Sequence, residues 1–83
     1  MKLLYFAWVK QKAGTGEEEV SLPANIRDVN GLIAWLKTRG EGYEAAFADL
    51  GIIRCAVDQA HGDFDTSIAG ATEVAFFPPV TGG

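Results

Sequence analysis

The sequence closes with the stretch Glu73-Val74-Ala75-Phe76-Phe77-Pro78-Pro79-Val80-Thr81-Gly82-Gly83, and this stretch decides the fold and the function that the other residues support. Residues 72–77 alternate in a β-branched and aromatic pattern that predicts a strand. Pro78 and Pro79 have a fixed φ and no backbone N–H, so they end that strand and continue as a stiff, extended segment. Gly82 and Gly83 lack a Cβ and can enter a narrow slot. We therefore predict a tail, residues 78–83, that reaches roughly 17 Å beyond Pro79.

Length and composition limit the classes to which the protein can belong. Eighty-three residues predict one domain. The net charge is −4 without a basic cluster, which argues against a nucleic-acid partner because phosphate contacts need clustered Lys and Arg. The single cysteine cannot form an internal disulfide. The sequence shows neither a signal peptide nor an apolar run long enough to cross a membrane. We expect a cytoplasmic domain that binds neither nucleic acid nor membrane.

The N-terminal residues predict two strands joined by a hairpin loop. Residues 2–10 are apolar at both parities, as in a strand that is buried on both faces. Residues 11–16 contain two glycines and predict the loop. Residues 17–22 predict an edge strand, in which three consecutive glutamates form a solvated face that prevents edge-to-edge pairing.

A helix follows these two strands. Asp28 is a good N-cap, and apolar residues recur at i, i+3, i+4 and i+7, the pattern of an amphipathic helix: Val29, Leu32, Ile33 and Leu36. Lysine and arginine near the end of this segment favour the helix C-terminus, and Gly40 suits the position after it. Residues 41–50 predict a shorter helix.

The remaining elements complete the predicted fold class, which is α+β. Residues 52–58 predict a third strand in which Cys55 is a buried core residue rather than a reactive thiol. Residues 59–65 predict a turn and a short edge strand. One mixed sheet of four to five strands, covered on one face by a helix, accounts for all of these elements. We assign residues 1–77 to this domain and residues 78–83 to the tail.

One face of the predicted sheet is left without a covering helix. The parity that places both Lys2 and Lys10 toward water also places large apolar side chains on this face: Leu4, Phe6, Trp8 and Phe77. We predict a partner-binding face; the alternative is that loops or Trp35 cover it. The polar group Asp58, His61, Asp63 and Asp65 matches no metal-ligand spacing, so we predict a polar turn and no metal site.

The last eleven residues closely resemble the C-terminus of the MoaD/ThiS family of sulfur carriers, and in particular its molybdopterin synthase small subunits. The strand running into Phe6-Ala7, the Gly14 region and Ala56-Val57-Asp58-Gln59 also fit that family over the whole length. Asp58 stands where the family tends to have Asn, and Ala71 and Thr72 where it often has acidic residues. The resemblance implies a ubiquitin-like β-grasp fold.

The resemblance also implies a carrier, not an enzyme in its own right. An adenylating enzyme that uses ATP and magnesium would activate the Gly83 carboxylate, which would become a thiocarboxylate and donate sulfur to cyclic pyranopterin monophosphate. This chain would bind no cofactor itself. The tail would insert into the large catalytic subunit, within a heterotetramer of two small and two large subunits, through these residues: Pro78, Pro79, Val80, Thr81 and Gly82. The resemblance makes four residues candidates for docking: Phe6, Lys10, His61 and Phe77.

Three other readings stay open at this point. A carrier of sulfur for thiamine or tRNA would use the same end chemistry. A ubiquitin-like modifier would join Gly83 to lysines of other proteins. An interaction module would carry an inert tail. The Phe-Phe-Pro-Pro-Val-Thr run, residues 76–81, favours the molybdopterin carrier among these.

Overall fold

A computed structural model describes residues 1–79 as a mixed β-sheet with helices packed on one side. In chain order the elements are β1 (Lys2–Tyr5), α1 (Ala7–Ala13), β2 (Glu17–Glu19), α2 (Val29–Lys37), α3 (Glu41–Ala46), a 3₁₀ turn (Leu50–Ile52), β3 (Arg54–Val57), β4 (Ala60–Gly62) and β5 (Glu73–Phe77).

Within the described range the sheet has five strands in the order β2-β1-β5-β3-β4. β1 and β5 are parallel, whereas β1–β2, β3–β5 and β3–β4 are antiparallel. The predicted α+β class with one mixed sheet is confirmed. The last strand of the chain thus lies in the middle of the sheet, where both of its edges are hydrogen-bonded and its position is fixed.

The core lies between the sheet and the helices. Alternate residues of the two central strands point into it and are fully buried, because successive strand side chains point to opposite faces: Leu3, Tyr5, Val74 and Phe76. The same cluster contains the apolar stripe of α2 and residues of α1 and α3. The Phe76 ring packs edge-on against Phe47, with 4.9 Å between ring centroids. The core therefore holds β5 up to its penultimate residue.

The prediction of a single strand over residues 2–10 is wrong. β1 ends at Tyr5, and α1 begins at Ala7 and runs into the segment predicted as a hairpin loop. Val9 and Ala13 are four residues apart and both pack toward the core, as one helix face requires. Gly14 ends α1 in the left-handed conformation (φ 88°) that suits a helix C-cap. The apolar residues at both odd and even positions of residues 2–10 thus arise from a short strand followed by a helix, not from one strand that is buried on both faces.

The second strand is shorter than predicted, and its three glutamates do not share one environment. β2 covers only Glu17–Glu19 and lies at the sheet edge, as expected. Glu18 points inward: its carboxylate accepts hydrogen bonds from the hydroxyls of Tyr5 (2.9 Å) and Tyr43 (2.7 Å) and from Nη1 of Arg39 (2.9 Å). We refer to these four residues as the Glu18 network. It joins the edge strand to β1, to α3 and to the segment after α2.

The other elements agree with the sequence apart from their ends. Asp28 caps α2, with its Oδ1 accepting from the Gly31 N–H at 2.8 Å. α2 ends at Lys37 with Thr38 as its C-cap, and Gly40 is the N-cap of α3 instead of closing α2. β3 begins at Arg54, because the residues before it form the 3₁₀ turn.

Candidate docking surface and tail attachment

The tail is attached at the centre of the sheet. β5 ends at Phe77, which is cross-strand from Arg54 of β3, and the half-buried Pro78 and Pro79 follow. A strand paired on both sides cannot shift without breaking two ladders, so the starting point of the tail is rigid. The predicted tail residues Val80, Thr81, Gly82 and Gly83 lie outside the described residues.

The sheet face opposite the helices, here called the open face, carries a continuous apolar strip. One cross-strand row runs Glu17–Leu4–Ala75–Ala56–His61. Leu4 and Phe77 are half-buried, yet neither belongs to the core cluster nor packs against it. Ala56 and Ala75 lie at the centre of the strip, have small side chains and are only 7% and 8% exposed. The predicted uncovered face is therefore present among residues 1–79, and Trp35 packs against the core instead of covering it.

Phe6 is a large exposed apolar residue beside the tail attachment. It is 48% exposed although it lies between the buried residues Tyr5 and Val9. Its N–H donates to the carbonyl oxygen of Phe76 at 3.1 Å, so its backbone is fixed next to the end of β5. Ala7 then has a φ of 54°, a left-handed conformation that costs a non-glycine residue about 1 kcal/mol. This turn starts α1 and leaves the Phe6 ring in solvent.

The structure brings together His61 and Phe77, two of the predicted docking residues. The two rings lie 5.2 Å apart between centroids, at an angle of 53°. His61 is exposed on edge strand β4, where it pairs with Ala56. Phe6 and His61 therefore lie on opposite sides of the end of β5, with Phe77 between them.

Lys10 and Trp8 are not where the strand prediction placed them. Both belong to α1, where Trp8 is partly buried against the core and is not on the open face. Lys10 is exposed, and its aliphatic side chain runs past Gly16, where an added Cβ would come within 3.1 Å of Lys10 Cε. Lys10 lies one helical turn after Phe6, so it stays near the docking surface even though its element was mispredicted.

The opposite end of β5 is fixed by Asp58. Its Oδ1 accepts hydrogen bonds from the Thr72 N–H (2.9 Å), the Thr72 hydroxyl (3.0 Å) and the Glu73 N–H (3.0 Å). These bonds, those from Thr72 first, hold the pKa of the Asp58 carboxyl below its ordinary value. Asp58 and Gln59 have φ values of 49° and 70° and form the tight turn between β3 and β4. Asp58 thus serves to hold the turn and the start of β5.

Two further observations bear on the chemistry of the described residues. Between residues 1 and 79, no group of three or more His, Cys, Asp or Glu side chains is placed to hold a metal ion. Cys55 is buried, as predicted; burial raises the pKa of its thiol, and the thiol donates to the carbonyl oxygen of Gly62 at 3.3 Å. A buried, protonated thiol is a poor nucleophile.

Among residues 1–79, no helix is long and apolar enough to cross a membrane.

Sequence reasoning missed two exposed residues at and just before the start of β3. Ile52 is 48% exposed in the 3₁₀ turn, and Arg54 is exposed at the start of β3. The signal was available: if Cys55 and Val57 point inward, Arg54 and Ala56 must point outward. What the sequence did not provide was the register that pairs Arg54 with Phe77.

Comparison with known proteins supports one family assignment. The profile of the ThiS family matches residues 3–83. The sequence is 37% identical over 83 residues to the molybdopterin synthase sulfur carrier subunit of Escherichia coli K12, covering 100% of this chain and 99% of that protein. The crystal structure of SAMP1 from Haloferax volcanii has a TM-score of 0.74 at 25% identity and covers 100% of this chain and 98% of its own.

A second solved structure gives the same result. A Pyrococcus furiosus protein, described as a candidate subunit 1 of molybdopterin converting factor, has a TM-score of 0.71 at 32% identity, with 95% of each chain covered. Together these likenesses confirm the predicted ubiquitin-like β-grasp fold.

Proposed function

This chain belongs to the ThiS family, and from that membership we propose that it is the sulfur carrier subunit of molybdopterin synthase. The observation that carries the proposal is the 37% identity to the E. coli carrier subunit over the whole chain. The geometry is consistent with it, because the central strand β5 leads directly into the proline pair beside an uncovered apolar face. A carrier needs a rigid body and a single reactive group delivered at a fixed distance.

The reactive group in this proposal is the carboxylate of Gly83. A carboxylate is a poor electrophile, so an activating enzyme first joins it to AMP, using ATP and magnesium and releasing pyrophosphate. The terminal sulfur of a persulfide then displaces AMP, and a thiol cleaves the resulting acyl disulfide to leave a thiocarboxylate. The substrate, cyclic pyranopterin monophosphate, takes this sulfur, and water restores the carboxylate. Two such transfers build the dithiolene of molybdopterin.

The chemistry is supplied mainly by the partners in this proposal. An anionic tail and a phosphorylated substrate require cations, which the large subunit would provide around the inserted residues Val80 to Gly82. The carrier in this proposal is therefore non-catalytic on its own. We also propose that it works in the cytoplasm. The proposed assembly contains two small and two large subunits. This chain contributes the docking residues Phe6, Lys10, His61 and Phe77.

A variant with one alanine added after Gly83 tests the reactive end. The added residue converts the Gly83 carboxylate into an amide and changes none of the core residues of the described part of the chain. We therefore expect adenylation and sulfur transfer to be lost while the thermal unfolding midpoint is unchanged. Lys37→Ala, an exposed change on α2, is the control and should keep full activity. Sulfur transfer at the wild-type rate from the extended variant would refute the mechanism.

The docking surface is tested separately by Phe6→Ala and Phe77→Ala. Truncating a buried interface aromatic costs about 2 kcal/mol or more, so we expect each variant to bind the large subunit at least about tenfold more weakly. Phe6 is outside the core, so the same change should leave the unfolding free energy nearly unchanged. If the Phe6→Ala and Phe77→Ala variants bind the large subunit as tightly as Lys37→Ala does, these two residues are not part of the interface. Intact-mass analysis separates the other classes: a ladder of conjugates indicates a protein modifier.

A further inference from the structure

The start of β3 presents a second exposed group beside the tail attachment. Arg54 is directly cross-strand from Phe77, the last residue of β5. Side chains opposite each other in an antiparallel pair have Cβ atoms about 5 Å apart. Ile52, two residues earlier, is 48% exposed. The end of β5 is therefore flanked by Phe6 on the β1 side and by Arg54 on the β3 side.

The guanidinium of Arg54 is held in place but is not neutralised. Its Nη1 donates to the carbonyl oxygens of Ile53 (3.0 Å) and Gly51 (3.2 Å). No carboxylate among residues 1–79 forms an ion pair with it, whereas Lys2 and Arg39 are paired with Glu17 and Glu18 respectively. Because the Nη1 group is already tethered, the Arg54 side chain loses less conformational entropy when its remaining donors bind a carboxylate.

A cleft of about 260 Å³ adjoins this arginine. Ile53 and Phe64 contribute apolar lining, and Arg54, Gly62 and Asp63 complete it. Asp63 Oδ1 accepts from the Asp65 N–H at 3.1 Å and from the Thr66 hydroxyl at 3.5 Å. The cleft thus offers apolar lining together with one cation, Arg54, that has no carboxylate partner within the described residues.

We propose that Arg54 and this cleft form an anchoring site for the protein that receives the tail, which would contribute a carboxylate to Arg54 and an apolar side chain to the cleft. This inference rests on the proposed function, because it assumes that the tail enters a partner. The occupant follows from position: a protein that binds the chain from Pro78 onward must approach the residue cross-strand from Phe77. It also follows from charge complementarity, because the Arg54 guanidinium, which has no carboxylate partner among residues 1–79, attracts an acidic group of the partner.

The test measures binding of the large subunit of molybdopterin synthase from the same organism. We expect Arg54→Glu to weaken binding at least about tenfold, since it places like charges together. Arg54→Lys should lose less, because it keeps the charge but not the planar fork. Arg27→Glu, the same exchange at an exposed position before α2, is the matched control and should change affinity less than twofold. The arginine contribution should also shrink as salt is raised.

Arg54→Gln guards against a folding defect in the charge-reversed variant, since it removes the positive charge without introducing a negative one and keeps an amide donor. Weakened binding by both Arg54→Glu and Arg54→Gln, with unchanged thermal unfolding, supports the anchoring site. Affinity equal to that of Arg27→Glu overturns it, and if sulfur transfer is normal in that case the proposed function still stands. Absence of a thiocarboxylate on the wild-type chain would instead overturn the proposed function, and this inference with it.

Discussion

Replacing Glu18 with alanine should destabilise the fold more than replacing its neighbour Glu17 on the same edge strand. The Glu18 side chain is only 17% exposed and accepts three hydrogen bonds. Tyr5 is 1% exposed, so its hydroxyl would lose its partner in a place that water does not reach. An unsatisfied buried polar group costs about 1–3 kcal/mol, and bonds to a charged acceptor contribute about 1.5–3 kcal/mol. We therefore predict a loss of about 2–3 kcal/mol.

This loss is measurable by urea unfolding followed through tryptophan fluorescence. The midpoint should fall without a change in slope, and the thermal midpoint should fall by roughly 4–8 °C per kcal/mol for a domain of this size. Glu17→Ala on the same strand is the control; its ion pair with Lys2 is exposed, so its effect should stay within about 0.5 kcal/mol.

A double-mutant cycle isolates the contact between Glu18 and Tyr5. Tyr5→Phe in the Glu18→Ala background should cost at least about 1 kcal/mol less than in the wild type, because its bond is already absent. If Glu18→Ala behaves like Glu17→Ala, or if the two changes simply add, the reasoning about the Glu18 network is refuted.

The same network predicts a dependence on pH. Burial opposes ionisation of Glu18, but hydrogen bonds from Tyr43, Arg39 and Tyr5 outweigh it and hold the pKa of its carboxyl below the ordinary 4.5. A lowered folded pKa contributes stability that is present above pH 4.5 and is lost as pH falls through the folded pKa. The stability difference between wild type and Glu18→Gln should therefore be greatest above pH 4.5 and shrink in more acidic buffer.

Three further predictions concern other parts of the fold. Gly42→Ala should cost about 1–3 kcal/mol, because the new Cβ would clash with the carbonyl oxygen of Lys12; an unchanged unfolding midpoint would contradict this close packing of α1 and α3. Asp58→Ala should lower the thermal midpoint, whereas Asp58→Asn, which keeps an acceptor for Thr72, should retain most of it; equal losses would argue against the hydrogen bonds. Cys55 should react with maleimide only after unfolding, and rapid labelling of the native chain would contradict its burial.

The sequence predicted the features that depend on local rules. The periodic stripe and the Asp28 cap indicated α2, and alternation in residues 72–77 indicated β5 and its inward face. The apolar residues of the open face followed from the same alternation, except for Trp8. These features need only the spacing of side chains along one element, which the sequence contains in full.

The remaining features depend on contacts between distant segments. Strand and helix patterns overlap between residues 6 and 13, and only packing of Val9 against the core decides for a helix there. Glu18 looks like a solvated edge residue until Tyr5, Arg39 and Tyr43 are placed around it. Arg54 becomes notable only through its register with Phe77. None of these long-range contacts can be predicted from the spacing of residue types along the sequence.

Intact-mass spectrometry of the chain purified from its own cells tests the carrier assignment most directly. The account predicts a population heavier by the exchange of one oxygen for sulfur, with fragments that place the exchange at Gly83, and loss of that population on incubation with the large subunit and substrate. A chain that carries no such exchange when the activating enzyme and a persulfide donor are active would contradict the account.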